Sequence, residues 1–197
     1  MIKSYQIAQI LAQKLLAQAA ANEPDITADL QNISSEVFAQ IVGLENKFKT
    51  EESLTRKLID LAEADSTEIS RIARKINDVL RYTFVLPFET YAEGFRQAIK
   101  KLRKSGYQIP DYKIWNAWGT MERRFDKGYR GINITVISSH KQKFELQFHT
   151  EESFRLKTAT HRFYEELRNR RILEKREIEL IEKLRKAAEN VKKPEGV

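Results

Sequence analysis

From Phe144 to Thr150 apolar and polar side chains alternate without a break: Phe144, Leu146 and Phe148 fall on one side, Glu145, Gln147 and His149 on the other. A period of two marks a strand, because successive strand side chains point to opposite faces. The sheet that contains this strand therefore has one face that meets a core and another that carries three polar groups of different chemistry. Such a face can hold a metal, accept a proton and orient a substrate. It can equally be the solvated side of an amphipathic strand.

The rest of the chain supplies partners for that strand. Asp78–Leu86 is β-branched and aromatic and ends at Pro87, residues 131–138 read as a strand joined to 142–149 through a turn at His140-Lys141, and Tyr112–Trp118 reads as a further strand. Helical spacing predicts two helices in 50–76, split near Asp65-Ser66-Thr67, one over 88–105 (Phe95, Ile99, Leu102) stopping at Ser105-Gly106, and two more at 151–169 and 173–192. At the N-terminus Ile7, Ile10, Leu11, Leu15 and Leu16 predict a helix broken at Pro24. A second helix follows on Ile26, Leu30, Ile33, Val37 and Ile41, ended by Gly43. Helices flanking a mixed sheet of four or five strands make an α+β fold.

A chain of 197 residues fits one domain with helical appendages, divided here as 1–45, 46–169 and 170–197. Cysteine is absent, which excludes disulfide scaffolds, thiolate zinc sites and cysteine nucleophiles. No apolar run approaches the roughly 20 residues of a membrane helix, and the N-terminus is a poor signal peptide, so a soluble, cytoplasmic protein is expected. The net charge of +7 is uneven: residues 1–45 sum to −3, leaving +10 for the remainder. A basic body suits a phosphate-bearing partner, nucleotide or RNA, although an unspecialised basic surface gives the same sum.

Three further constellations stand out. In Arg123-Arg124-Phe-Asp126-Lys127-Gly128-Tyr129-Arg130-Gly131-Ile-Asn133, cations surround an aromatic ring between two glycines, a combination that clamps phosphates and stacks on a base. An exposed basic hairpin loop is the plainer reading. Lys47, Lys49, Ser53, Arg56 and Lys57 surround a helix start, where Ser53 caps the helix or sits in its first turn and the lysines form a phosphate patch or a solvated charged face. Asp78 heads an otherwise apolar strand, either as a cap or as a partner of Glu145 in holding a divalent cation. The chain has no GxxxxGK[ST], GxGxxG, HExxH or GxSxG, and its three histidines lack zinc spacing.

Taken in order, these pieces resemble the synthetase domain of the RelA/SpoT family, which makes hyperphosphorylated nucleotide alarmones. Lys47-x-Lys49-x-x-x-Ser53-x-x-x-Lys57 is similar to that family's Arg-x-Lys-x-x-x-Ser-x-x-x-Lys, and Asp78 to its strand-opening aspartate. Lys127-Gly128-Tyr129-Arg130-Gly131-Ile132-Asn133 resembles its Lys…Gly-Tyr segment, Glu145-Leu-Gln147-Phe-His149-Thr150 its Glu-x-Gln-x-Arg-Thr, and His161-Arg-Phe-Tyr164 its closing His and Tyr. Asn133 stands where that family has histidine and His149 where it has arginine, and the strand arginine is displaced to Arg81. These departures resemble divergent small synthetases, toxin-like ones included, which would act in the cytoplasm or be delivered into another cell.

The resemblance implies a nucleotidyltransferase-like fold over 46–169 and an ATP-dependent pyrophosphokinase, acting on a nucleotide acceptor or an RNA 3′ end with Mg²⁺ on Asp78 and Glu145. Lys47, Lys49, Ser53, Arg56 and Lys57 would bind ATP. Lys127, Tyr129, Arg130, Asn133 and His161 would bind the acceptor, with Tyr129 stacking on its base. Gln147 and His149 would orient the hydroxyl or relay its proton, with His149 or His161 as base. The alternatives are a degenerate, non-catalytic nucleotide- or RNA-binding module and a helical partner-binding protein. The N-terminal helices, outside the motif span, are expected to be regulatory, dimerising or partner-binding.

Overall fold

The computed structural model describes residues 2–119, 127–167 and 173–197. Helix α1 runs from Ile2 to Glu36 as one element with Pro24 inside it, so the break expected at Pro24 does not occur. A mid-helix proline costs about 3 kcal/mol through a lost hydrogen bond and a crowded carbonyl. Ile26, Leu30 and Ile33 follow the proline and are buried in the same core as Ala12 and Ala19 before it. Each buried Ile or Leu contributes about 1.5–3 kcal/mol, so packing on both sides outweighs the proline. Val37 and Ile41, expected on a second helix, lie beyond α1. The chain turns at Phe38 (φ 55°) into strand β1 (Gln40–Val42), and Gly43 (φ 71°) turns it on into a 3₁₀ turn at Leu44–Asn46.

Helices α2 (Glu51–Ala64) and α3 (Ile69–Lys75) precede strand β2 (Arg81–Val85). Helix α4 (Tyr91–Lys104), strands β3 (Ile114–Asn116), β4 (Ile132–Ile137) and β5 (Lys143–His149), and helices α5 (Glu151–Leu167) and α6 (Glu174–Ala188) complete the chain. The five strands lie in the order β1-β2-β5-β4-β3; β2 and β5 run parallel and the other neighbours antiparallel.

Tyr82, Phe84, Ile134, Val136, Phe144, Leu146 and Phe148 all bury on one face of the sheet. Helices α1 and α4 cover that face: Thr27 and Tyr82 share a hydroxyl hydrogen bond at 2.9 Å, and the Phe95 and Phe148 rings meet edge-on at 5.0 Å. Helix α1 therefore belongs to the core of the sheet and is not an appendage of it. No helix among the described residues is long and apolar enough to cross a membrane.

Candidate active site

The opposite face of the sheet carries the polar residues in two registered rows. Arg81, Glu145 and Thr135 pair across β2, β5 and β4; Thr83, Gln147, Asn133 and Trp115 pair across β2, β5, β4 and β3. Helix α5 presents Lys157, His161 and Tyr164 to this face, one above another at helical spacing. The Lys157 ammonium donates to Gln147 Oε1, and Gln147 Nε2 donates to Glu145 Oε1, forming a chain that fixes the amide. Burial brings the Lys157 ammonium down to about 8, against the pull of Glu145.

A cavity of about 280 Å³ lies over the two rows, lined by Asp78, Arg81, Glu145, Gln147, Lys157 and the aromatic residues Trp115 and Tyr129. Beside it a cavity of about 380 Å³ opens at the start of α2, lined by Lys49, Ser53 and Arg56. Arg81, His161 and Glu165 line both. Thr50 caps α2, accepting from the Ser53 N–H at 3.2 Å, which leaves Ser53 in the first turn, exposed to the cavity.

Asp78 sits behind this junction. Lys49 Nζ lies 3.1 Å from one of its oxygens and Lys57 Nζ 2.8 Å from the other. Burial alone would raise the carboxyl, but Lys57 and Lys49 outweigh it and hold it at about 2. Burial in turn lowers Lys49, opposed by Asp78. Lys47 is directed elsewhere: it pairs with Glu23 of α1 at 3.1 Å and lines neither cavity, so it is not placed for the ATP-binding role expected of it.

Tyr129 stacks on Trp115, with ring centroids 5.1 Å apart and planes 21° apart. Its hydroxyl donates to Asn133 Oδ1 and lies 2.9 Å from His149 Nε2. His149 is fully buried, its Nδ1 held 2.9 Å from the Ser153 hydroxyl in the first turn of α5. Burial drives the His149 imidazole down to about 3, so it stays neutral. His149, expected to take a catalytic part, lines neither cavity and packs edge-on against the Tyr129 ring, with centroids 5.2 Å apart.

Gly128 has φ 75°, and a Cβ there would fall 2.3 Å from the Leu184 carbonyl oxygen, so α6 backs the Tyr129 loop directly. Lys127 is exposed and Arg130 donates to the Tyr129 carbonyl at 2.8 Å; neither lines the cavity as the acceptor role required. Arg123, Arg124 and Asp126 of the same loop lie outside the described residues. Two residues the sequence reading passed over, Lys157 and Trp115, stand in the cavity wall.

No protein-family model matches the sequence, and no curated protein matches it. Solved structures do. Small alarmone synthetase 1 from Bacillus subtilis, bound to its product pppGpp, superposes with a TM-score of 0.63 at 11% identity over 90% of this chain and 88% of that one. A GTP pyrophosphokinase family protein from Streptococcus pneumoniae gives 0.60 at 12% identity, covering 89% and 86% of the two chains. The Type VI effector Tas1, in complex with its immunity protein, gives 0.53 at 16% identity, covering 89% and 93%. At these identities the likeness establishes the fold alone: the chain has the fold of the small alarmone synthetases.

Proposed function

We propose that this chain is a pyrophosphokinase that moves the β,γ-pyrophosphate of ATP to the 3′-hydroxyl of a nucleotide or an RNA end. The observation that carries the reading is the wall shared by two cavities, one cationic and one aromatic, at Arg81 and His161. A two-substrate transfer needs such a junction, because positioning and charge stabilisation supply most of phosphoryl-transfer catalysis. Lys49, Ser53 and Arg56 receive the triphosphate, and Trp115 with Tyr129 receives the acceptor base. The 3′-oxygen attacks the β-phosphorus, the bond to the α,β-bridging oxygen breaks, and AMP leaves. His161, exposed between the cavities, is placed to take the hydroxyl proton.

Asp78 and Glu145 line one cavity with acceptor-only oxygens, the donors a hard divalent cation prefers. They would hold Mg²⁺, which when bound supplies positive charge to the phosphate oxygens. Lys49 and Lys57 keep Asp78 ionised until then. The test is incubation with ATP, Mg²⁺ and, in turn, GDP, GTP, ADP, ATP and tRNA. AMP and a pyrophosphorylated acceptor are expected. Absence of AMP with every acceptor ends this reading in favour of a non-catalytic nucleotide-binding module.

A further inference from the structure

A chain of hydrogen bonds runs from the first turn of α5 to the aromatic cavity and ends on Asn133. The Thr150 N–H donates to Ser153 Oγ at 3.0 Å, and that hydroxyl lies 2.9 Å from His149 Nδ1. His149 Nε2 lies 2.9 Å from the Tyr129 hydroxyl, which donates to Asn133 Oδ1. A hydroxyl has one proton to give. That of Tyr129 is committed to Asn133, so His149 Nε2–H donates to the Tyr129 oxygen. A neutral imidazole carries a single N–H, so Nδ1 is bare and accepts from Ser153. The competing contact of Ser153 Oγ, to the Thr150 carbonyl, is longer at 3.3 Å. Every side-chain proton in the chain therefore points from α5 toward Asn133.

The consequence falls on the cavity. Asn133 on β4 stands directly opposite Trp115 on β3, and both line the aromatic cavity. The Asn133 amide oxygen is occupied by Tyr129, while its Nδ2 has no partner among the described residues and is accessible to solvent. An amide free to turn offers a donor and an acceptor side by side, the pairing asparagine makes with N6 and N7 of adenine. With its oxygen held, Asn133 offers N–H alone.

We propose that Ser153, His149 and Tyr129 are positioning residues for Asn133, and that Asn133 thereby selects a base whose edge is made of acceptors, the O6 and N7 of a 6-oxopurine, over a 6-aminopurine. The inference rests on the reading of the aromatic cavity as the acceptor's. A base on the free face of Trp115 lies beside Asn133, because the two residues form a register pair. The device joins the two positions, Asn133 and His149, at which the sequence departs from the RelA/SpoT pattern, so it belongs to this chain's own residues.

NMR of the full chain, titrated separately with inosine and adenosine monophosphate and read at the Trp115 indole N–H, tests it without turnover. Inosine monophosphate should bind at least about fivefold more tightly. Tyr129→Phe keeps the ring and frees the amide to turn, so both nucleotides should still bind and the preference should fall below about twofold. Asn133→Asp puts an acceptor where the donor stood at nearly constant shape, and should reverse the preference. The His149 nitrogen resonances should show a bare Nδ1 and a protonated Nε2. Equal affinities in the unaltered chain, a preference that survives in either variant, or a protonated Nδ1 overturns the device and leaves the acceptor cavity standing. No shift at Trp115 with either nucleotide removes both.

Discussion

At Asp78 two ammonium groups hold one buried carboxylate, and acid reads the consequence. Its folded value of about 2 lies below the ordinary 3.8, so its stabilisation is complete above pH 4 and is lost as pH falls from 4 toward 2. That window is worth about 2 kcal/mol. Urea unfolding of the protein and of Asp78→Asn across pH 2–6 should show the difference between them shrinking by that amount at the acid end; a constant difference would refute the pairing. Lys157 is shifted in the same direction, but there it is the charged form that the fold disfavours. Its folded value of about 8 lies below the ordinary 10.5, so the charged form is disfavoured in the fold and stability rises as pH climbs from 8 to 10.5. Lys157→Met should therefore gain about 1–2 kcal/mol at pH 7 while turnover drops more than tenfold, a pairing of effects that a purely structural lysine would not show. Sequence alone could not rank Lys157 or Trp115, because what singles them out is the register of Trp115 opposite Asn133 and the fall of α5 across the sheet. The spacing of Lys157, His161 and Tyr164 was a usable signal. Alternation correctly put His149 on the polar face, but no periodicity reveals that Ser153 and Tyr129 cover that end of it.

Among the elements, strands β2 to β5 and most helices were legible because period and capping act locally: Gly106 ends the run after α4, and the β4–β5 turn falls at Ser139-His140, one residue before the position read. Helix α1 was not, because Pro24 is a local signal overruled by distant packing. Its place in the core has a measurable cost: Leu30→Ala, at a fully buried position, should lose about 2–5 kcal/mol in urea unfolding with a single transition. An appendage would instead melt separately and leave the main transition unmoved. Helix α6 is the counterpart at the other end of the chain. Gly128→Ala would force a Cβ against the Leu184 carbonyl at a positive φ, and about 1–3 kcal/mol of destabilisation is expected. A change in Trp115 fluorescence should accompany it, since the loop that moves carries the ring stacked on Trp115. Unaltered emission would mean that α6 does not set the position of that stack.

Over the whole molecule, two stretches far apart in sequence, 49–56 and 115–164, meet because β2 and β5 pair in parallel and bring Arg81 level with Glu145. The cationic and aromatic cavities are thus separable at their outer ends and joined at Arg81, and if they take donor and acceptor as proposed, substitutions should divide the same way. Trp115 lies on the aromatic side alone and is 45% exposed, so its free face is available to a base. Trp115→Ala should weaken acceptor binding by roughly 1–3 kcal/mol, seen as a raised acceptor KM with the KM for ATP unchanged. Tyr129 is the poorer probe, since its hydroxyl also holds Asn133 and His149 in place. Arg81 lines both cavities, so Arg81→Ala should raise both KM values and lower kcat as well. Titrating ATP and acceptor separately against both variants decides the matter. An equal loss for the two substrates in Trp115→Ala would mean that the aromatic cavity is not the acceptor's, and the division of labour across the sheet would fall with it.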